Sequence, residues 1–311
     1  MPSAPYTSAY HRFWPIGGGK IQVIVVDDGS TDHTKEILER HFGSDPRVII
    51  VSQANAGVGA ARESALKHVA GDCIAFCDSD DWVEPDWLES MYAVMQKYNA
   101  DIVRFGAIIE GHNRVSDMND VTVWSRAEAQ EQFLIHQKLN GTLWTNLYRR
   151  SCFSNIHFDT ALTCFEDDDV MWRLLQQVNK VVRVKAAKYH WTIGQDSLSN
   201  GTPSVGRLQS CLLFLSKLMA SSCIKEDKRL MALAKHLHTN WTLGTLKSMY
   251  GCHIHDKKLE SDILTHLRRN IIAGVKDADG IVNKAIYMSA VLAPSVARYL
   301  YVKAKGLRQE T

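Results

Sequence analysis

The sequence predicts an α/β fold, a mostly parallel sheet with helices on both faces, followed by a helical C-terminal region. Short β-branched apolar segments alternate with amphipathic segments between Ile21 and Ile109. Acidic clusters follow directly after two of those apolar segments, as loops do at the ends of strands. After about Ser204 only helical periodicity remains. Alternation of strands and helices is typical of parallel sheets that are covered on both faces.

Composition places the chain in the ordinary soluble class. Of 311 residues, 45% are hydrophobic and 23% are charged, and the net charge of +2 does not favour nucleic acid as a partner. The seven cysteines lack metal-ligand spacing and suit a reducing compartment. Without a signal peptide pattern or an apolar run of roughly 18 residues, we expect a cytoplasmic protein. Peripheral contact with the inner face of the cell membrane stays open.

The predicted elements of the sheet region follow one another without long gaps. In chain order they are a strand over 21–26, a helix over 33–42, a strand over 48–51, a helix over 57–69, a strand over 73–77, a helix that starts near 85 and a strand over 101–109. In the third helix Trp87, Met91 and Met95 recur at the spacing of one helix face, so we expect this face to pack on the sheet.

The C-terminal third is predicted to be helical. The candidate helices cover 207–221, 226–249, 259–273 and 282–304, the last interrupted by Pro294. We therefore divide the chain into an atypical N-terminal segment (1–20), a catalytic domain (21–204) and a helical region (205–311). Residues 281–311 carry five basic residues and one acidic residue. This segment suits either a packed terminal helix, which we slightly favour, or an amphipathic segment on an anionic membrane.

Two acidic loops should open on the same edge of the sheet, because both follow strands directly. The first contains Asp27 and Asp28, and the second is Asp78-Ser79-Asp80-Asp81. Alternation along an extended chain would turn Asp78 and Asp80 the same way, where a cation or hydrogen-bond donors must compensate their charges. Few carboxylates in a cleft suit Mg²⁺ or Mn²⁺, which also bind water and a substrate diphosphate. The alternative is a solvated turn that caps the next helix.

A third acidic group, at residues 166–169, consists of four consecutive carboxylates. Acidic residues are favoured in the first turn of a helix, but capping requires only one or two. One of the four could therefore act as a general base on a hydroxyl. In the first loop, a carboxylate could accept hydrogen bonds from a uracil or a ribose, or simply stabilise the turn.

Five segments together resemble the family 2 glycosyltransferases of the GT-A fold, and in particular the bacterial enzymes that assemble cell-surface polysaccharides. The resemblance covers about residues 21–200, and its segments are VIVVDDGSTD, NAGVGAARESALKHVAGDCIAFCDSDDW, LWTNLYRRS, FEDDDVMWRLL and YHWTIGQDSLSN. It implies a GT-A catalytic domain, a nucleotide-sugar donor and a divalent metal.

The resemblance also implies roles for individual residues. Asp28 is similar to the carboxylate that contacts the nucleotide base, and Asp78 and Asp80 resemble the DxD pair. Within that pair, Asp80 is the expected metal ligand and Asp78 lies nearer the ribose. Asp167 resembles the catalytic base of an inverting transfer. Arg62 stands where the family often has a nucleotide-binding arginine, although a solvated helix residue is an equal alternative.

The sequence departs from the family pattern in two places. The family's first strand and helix are expected before residue 21, and Met1–Lys20 does not match them. Because that strand should lie at the centre of the sheet, its loss would leave two strands without a partner. In addition, Asn146 stands where the family often has lysine, so we expect a contact of a cation to be lost there.

The expected function is inverting transfer of a sugar from a nucleotide sugar, with a UDP-sugar favoured, to a hydroxyl of a glycan or lipid-linked acceptor. A non-catalytic remnant that still binds nucleotide or a partner is the alternative. A nucleotidyltransferase is disfavoured, because no glycine-rich basic phosphate loop follows the first strand.

Overall fold

The computed structural model describes residues 21–109, 117–192, 203–269, 275–276, 278, 280–298 and 301. They divide into a sheet unit and a helical unit. The sheet unit lies within Met1–Gln130, Gly141–Thr160 and Glu166–Asn200, and the helical unit within Glu131–Asn140, Ala161–Phe165 and Gly201–Thr311. The N-terminal segment 1–20 and the ends of the predicted helices 259–273 and 282–304 fall at least partly outside the described residues.

The described strands and helices alternate through most of the sheet unit. The strands are β1 (Val23–Asp28), β2 (Val48–Gln53), β3 (Cys73–Ala75), β4 (Trp82–Val83), β5 (Ile102–Ile109), β6 (Asp117–Ser125), β7 (Asn146–Arg149) and β8 (Lys180–Trp191). The helices are α1 (Thr34–Phe42), α2 (Val58–Leu66), α3 (Trp87–Tyr98), α4 (Arg126–Ile135), α5 (Glu166–Leu174), α6 (Val205–Ala220), α7 (Ser222–Glu226), α8 (Lys228–Gly251), α9 (Lys257–Arg268) and α10 (Gly280–Leu292). A 3₁₀ turn follows β7 at Arg150–Phe153.

The strands form two sheets among the described residues. The strands β1 and β2 pair with each other in parallel, from Val23 with Val48 to Asp28 with Gln53. The larger sheet has the order β3-β7-β5-β8-β4, and β6 also pairs with β8. The apolar residues of β1 and β2 are only half-buried. The C-terminal end of β1 in the smaller sheet and that of β3 in the larger sheet lead into the two predicted acidic loops.

The α/β class with helices around a sheet is confirmed, but the sheet is less parallel than we expected. In the described part of the larger sheet only β5 and β8 run parallel, and the other four pairings are antiparallel. The reason lies in the connections. Only seven residues join β5 to β6, which is too short for the crossover helix that parallel strands require.

The core of the sheet unit lies between α3 and the strands β5 and β8. The predicted face of α3 is buried, with Trp87, Met91 and Met95 exposing 2% or less of their surface. They pack in one cluster with Val103 of β5 and Val182 of β8. Burial of each such side chain contributes about 1.5–3 kcal/mol to folding. This core holds β8, and through it the acidic loop after β3, in a fixed position.

The helical unit has its own core and well-formed helix starts. Leu246, Met249, Leu259 and Ile263 are fully buried between α8 and α9. Side chains cap three helices: Ser204 accepts from the backbone N–H of Arg207, Asp227 from those of Arg229 and Leu230, and Asp256 from that of Leu259. Within the described part of the chain, no helix is both long and apolar enough to cross a membrane.

Candidate active site

The acidic loop after β3 is a tight turn. The backbone N–H of Asp81 donates to the carbonyl oxygen of Asp78 at 3.1 Å. The expectation that Asp78 and Asp80 alternate along an extended chain is therefore wrong, because the backbone reverses at Ser79 and Asp80. As a result Asp80 is exposed, whereas Asp81 points into the protein and is 1% exposed.

Tyr189 of β8 fastens this turn to the sheet. Its hydroxyl donates to Asp81 Oδ2 at 2.6 Å and accepts from the backbone N–H of Asp78 at 3.0 Å. The backbone N–H of Thr192 donates to the other oxygen of Asp81 at 2.8 Å. Burial raises the pKa of Asp81 to about 6, although these hydrogen bonds oppose the shift. Sequence reasoning assigned no role to Tyr189, although this residue begins the segment YHWTIGQDSLSN that carries part of the family resemblance.

Arg62 joins the predicted site residues Asp78 and Asp167, which come from distant parts of the sequence, and it also contacts Glu166. Its Nη2 donates to Asp78 Oδ1 at 2.9 Å, and its Nη1 donates to Glu166 Oε1 at 2.9 Å and also to Asp167 Oδ1. The side chain of Arg62 is only 11% exposed. Arg62 is therefore not a solvated residue of α2, and it links α2, the acidic turn and the first turn of α5.

Arg62 and its three carboxylate partners form a cluster with more negative than positive groups. One guanidinium faces the carboxylates of Asp78, Glu166 and Asp167. Burial would lower the pKa of Arg62, but the three carboxylates raise it above its ordinary value, so the group stays charged. Burial raises the pKa of Asp167 well above its ordinary value, Arg62 opposes this, and the neighbouring acids reinforce it. The site therefore favours a further cation.

The four acidic residues at the start of α5 have different surroundings. Asp169 is paired with Arg173 at 2.6 Å. Asp168 packs against Gly141, where burial of its carboxylate, with repulsion from Glu166, raises its pKa to about 7, although a hydrogen bond from the backbone of Gly141 opposes the shift. Of the two that contact Arg62, Asp167 has the more exposed side chain, at 20% against 9% for Glu166. Among the four carboxylates, Asp167 thus combines contact with Arg62 and access for a ligand.

A buried polar network lies behind the cluster around β7. Asn146 is fully buried, and its Nδ2 donates to the carbonyl oxygen of Thr142 at 2.6 Å and to the hydroxyl of Tyr148 at 2.9 Å. Arg104 Nη1 donates to Asn146 Oδ1 at 3.4 Å. An amide therefore stands at residue 146, in contact with Arg104 of β5, and the loss of the contact that a lysine would make there stays a prediction.

Asp28 organises the loop that leads into α2. Its carboxylate accepts from Gln53 Nε2 at 2.7 Å and from the backbone N–H groups of Ala56 and Gly57 at 2.9 and 2.8 Å. Burial raises the pKa of Asp28, but these bonds outweigh burial and lower it. Gly29 has a φ of +76°, and a Cβ there would lie 2.6 Å from the backbone nitrogen of Asn55. The first acidic loop thus fixes the backbone that leads into α2, the helix that carries Arg62.

The carboxylates of the acidic turn suit a metal ion that is bound mainly by oxygen atoms of its substrate. Within the described ranges, no group of three or more His, Cys, Asp and Glu side chains is arranged to hold an ion. Asp80, exposed on the turn, lies two residues from Asp78, which is 35% exposed. Mg²⁺ typically takes one or two carboxylates together with phosphate oxygens and water. The exposed carboxylate of Asp80 fits that pattern.

Comparisons with known proteins agree on one family. Residues 8–161 match the family described as Glycosyl transferase family 2. The chain is 29% identical over 190 residues to the glycosyltransferase GlyA of Streptococcus pneumoniae, covering 58% of this chain and 27% of GlyA. It is 45% identical over 69 residues to the chondroitin synthase of Escherichia coli, covering 22% of this chain and 10% of that protein. The chain thus spans well under two thirds of either relative.

The fold has a solved counterpart. The crystal structure of S. aureus TarS 1–349 in complex with UDP-GlcNAc has a TM-score of 0.67 at 18% identity, covering 98% of this chain and 88% of that chain. The family match begins inside the N-terminal segment 1–20 and ends before α5. The matched segments, the sheet with its surrounding helices and this structural likeness agree: the chain belongs to the family 2 glycosyltransferases of the GT-A fold.

Proposed function

We propose that this chain is an inverting glycosyltransferase in cell-surface polysaccharide synthesis. It would move a sugar from a nucleotide sugar, with a UDP-sugar favoured, to a hydroxyl of a glycan or lipid-linked acceptor. The observation that carries this proposal is the convergence of Asp78 and Asp167 on Arg62, beside the exposed carboxylate of Asp80. A donor site and a base must lie close together in such a reaction, and here they come from segments about 90 residues apart.

On the donor side, each residue has a distinct role. Asp28 and Asp78 contact the nucleoside, Arg62 contacts the nucleotide, and Asp80 holds the metal. Family 2 enzymes of the GT-A fold generally use a divalent metal. When bound, Mg²⁺ or Mn²⁺ would neutralise the charge that develops on the departing diphosphate. The solved structure of similar fold that contains UDP-GlcNAc supports a UDP-sugar as donor.

On the acceptor side, Asp167 serves as the general base. Its carboxylate is 20% exposed and carries a raised pKa, and both properties suit proton transfer from a hydroxyl. In an inverting displacement the base deprotonates the acceptor on the face of the sugar opposite the leaving diphosphate. The base and the metal ligand should therefore come from different segments, as Asp167 and Asp80 do.

Two substitutions test this assignment. We expect Asp80→Ala to abolish Mn²⁺-dependent binding of UDP in calorimetry, because the exposed metal ligand is removed. We expect Asp167→Asn to bind UDP at least as tightly as the wild type but to lower the rate of sugar transfer about 10²–10⁴-fold. Asp72→Ala is the matched control, because Asp72 precedes β3 on the side away from the turn and is exposed. A wild-type transfer rate in Asp167→Asn would overturn the role of the base.

The alternative function, a non-catalytic module that binds nucleotide or a partner, makes a different prediction. The half-buried apolar residues of β1 and β2 favour it, because a catalytic sheet normally buries such strands on both faces. Wild-type protein that binds UDP with Mn²⁺ but transfers no sugar from a panel of UDP-sugars to oligosaccharide acceptors would establish this alternative.

For the location of the protein, we propose peripheral contact of α10 with an anionic membrane at the inner face of the cell membrane. Ile281, Val282, Met288 and Leu292 are exposed to 86%, 65%, 36% and 70%. Lys284 lies exposed among them, and residues 281–311 are strongly basic. An apolar face beside positive charge suits the interface of an anionic bilayer.

Vesicle flotation tests this contact. We expect the protein to float with vesicles that contain anionic lipid, and Leu292→Glu to reduce the bound fraction several-fold, because a charge would enter the apolar layer. Tyr92→Glu, which changes another exposed apolar side chain in the sheet unit, is the control. Equal binding by wild type and Leu292→Glu would contradict the proposal.

A further inference from the structure

Arg62 contacts the proposed donor site and the proposed base at the same time. We propose that Arg62 is a counter-ion that the two sites share. Without a ligand it pairs with Asp167, and a nucleoside diphosphate draws it away, which frees Asp167 to take the acceptor proton. This inference rests on the proposed function for the role of Asp167, but its central claim concerns binding.

The first support is the way the guanidinium divides its hydrogen bonds. Nη2 faces Asp78 on the acidic turn, whereas Nη1 faces Glu166 and Asp167 on α5. A guanidinium holds its N–H groups in a fixed planar fork, so a rotation that improves contact with one partner weakens contact with another. A ligand that attracts Arg62 from the side of Asp78 therefore acts on its bond to Asp167.

The second support is the exposure of the groups in the cluster. The side chain of Arg62 is 11% exposed, whereas Asp78 is 35% and Asp167 is 20% exposed. Ligand atoms can therefore approach the cluster at both of its outer carboxylates. Phosphate oxygens accept bidentate hydrogen bonds from arginine, so they compete directly with a carboxylate for the same N–H groups.

The third support is the charge balance. One cation faces three carboxylates, so a diphosphate that enters this cluster meets an excess of negative charge. A divalent ion offsets part of the repulsion, and movement of Arg62 towards the phosphates offsets more of it. Loss of Arg62 then raises the proton affinity of Asp167, because Arg62 is the group that opposes the rise in the pKa of that carboxylate.

The consequence for the reaction is that donor binding comes before activation of the base. The acceptor oxygen then bonds to the anomeric carbon, its proton passes to Asp167, and the bond from that carbon to the diphosphate breaks with the electron pair leaving on the phosphate oxygen. A base that is paired with Arg62 until the donor arrives is protected from unproductive proton transfer.

A purely structural ion pair makes the opposite prediction for binding. If Arg62 only held α2, the turn and α5 together, removal of any partner would loosen the site and weaken nucleotide binding. If Arg62 is shared, Asp167→Asn removes a competitor and strengthens nucleotide binding. The two possibilities are therefore separated by the sign of one change in affinity.

The experiment is calorimetric titration of UDP in the presence of Mn²⁺ with wild type, Asp167→Asn, Arg62→Gln and the double variant. We expect Asp167→Asn to tighten UDP binding about five-fold or more, which is the lower range of coupling between sites. Arg62→Gln should weaken UDP binding, and Asp167→Asn should have no further effect in the Arg62→Gln background. Arg62→Lys, which keeps the charge, replaces Arg62→Gln if that variant fails to fold.

Asp169→Asn is the matched control, because Asp169 lies in the same turn of α5 but pairs with Arg173. It should leave UDP affinity unchanged. Unchanged or weaker UDP binding by folded Asp167→Asn would overturn the inference, as would an absence of UDP binding by the wild type. Coupling in binding without sugar transfer would contradict only the proposed function, whereas normal transfer without coupling would contradict only this inference.

Discussion

At the scale of single residues, the structure separates four neighbouring acids that are alike in sequence. Asp168 and Asp169 are adjacent, yet Asp169 has a cationic partner in Arg173, whereas a hydrogen bond from the backbone of Gly141 offsets only part of the cost of burying the Asp168 carboxylate. A buried carboxylate in such a position is costly when it is ionised. Asp168 therefore opposes folding at neutral pH, whereas Asp169 supports it.

We predict that Asp168→Asn stabilises the protein. The folded pKa of Asp168 is about 7 and its model-peptide value is 3.8, so the folded state binds the extra proton between these values. The contribution of Asp168 to stability is therefore present below pH 3.8 and is lost as the pH rises to 7. Up to about 4 kcal/mol is lost across this range. Chemical denaturation at pH 7.5 should show a higher free energy of unfolding for Asp168→Asn.

The neighbouring change provides the comparison for that measurement. Asp169→Asn breaks a buried ion pair with Arg173 and should lower the free energy of unfolding by about 3 kcal/mol at the same pH. If both variants were destabilised equally, the cost that we assign to the Asp168 carboxylate would be wrong.

Gly141 provides a second prediction at this scale. A Cβ at residue 141 would lie 2.2 Å from Asp168 Oδ1 and 2.6 Å from the Cα of Asp168. Because backbone cannot move aside cheaply, Gly141→Ala should shift the first turn of α5 and displace Asp167. We expect a loss of 1–3 kcal/mol of stability, about the usual cost of overpacking. Denaturation measures it, and Gly244→Ala, which has open space around its Cβ position, should not show this clash.

At the scale of secondary-structure elements, β8 is the strand on which the site depends. It pairs with β5, β6 and β4, and it carries Tyr189 to the acidic turn. Apolar runs in the sequence predicted the strands that precede the two acidic loops, but β8 was not predicted. The apolar pattern of 180–191 is visible in the sequence, whereas its three partners lie up to about 110 residues away. Strand pairing at that separation is decided by tertiary packing, not by local pattern.

We predict that Tyr189→Phe loosens the acidic turn. The substitution removes the hydrogen bond to the buried Asp81 carboxylate and the one from the Asp78 backbone. Leaving these groups without that partner should cost about 1–3 kcal/mol of stability. It should also weaken Mn²⁺-dependent UDP binding, because Asp80 lies in the same turn. Tyr92→Phe, at an exposed position, is the control; unchanged stability in Tyr189→Phe would contradict the role of the hydroxyl.

At the scale of the whole molecule, the two units should respond to pH with opposite sign. In the sheet unit, Asp81 and Asp168 have pKa values raised to about 6 and about 7. In the helical unit, His238 Nε2 lies 3.1 Å from His266 Nδ1. Burial, together with repulsion from His266, lowers the pKa of His238 to about 4 from 6.5. The folded helical unit therefore binds fewer protons than its unfolded state between pH 4 and 6.5.

We predict that lowering the pH from 7 to 4.5 destabilises the helical unit and stabilises the sheet unit. For His238 the stability is fully present above pH 6.5 and is lost as the pH falls towards 4, by up to about 3 kcal/mol. Amide hydrogen exchange at the two pH values, corrected for intrinsic rates, would measure each unit separately. His238→Gln should flatten the response of the helical unit alone, and an unchanged pH response in this variant would exclude the histidine pair as its source.

Local sequence determined several elements of this protein and the chemistry of its candidate residues. Apolar periodicity predicted α3 and its buried face, and the short acidic segments marked the candidate site residues. Those properties depend on residues within a few positions of one another, which is the range over which backbone propensity and side-chain alternation act.

Tertiary structure alone decided which charges meet. No local pattern shows that Arg62 reaches Asp78 and Asp167, that Tyr189 holds the acidic turn, or that Asp168 packs against Gly141 while Asp169 pairs with Arg173. Each of these contacts joins segments that folding brings together, and burial then changes the energy of every charge in them. The sequence contained the candidate carboxylates, but only packing made their surroundings different.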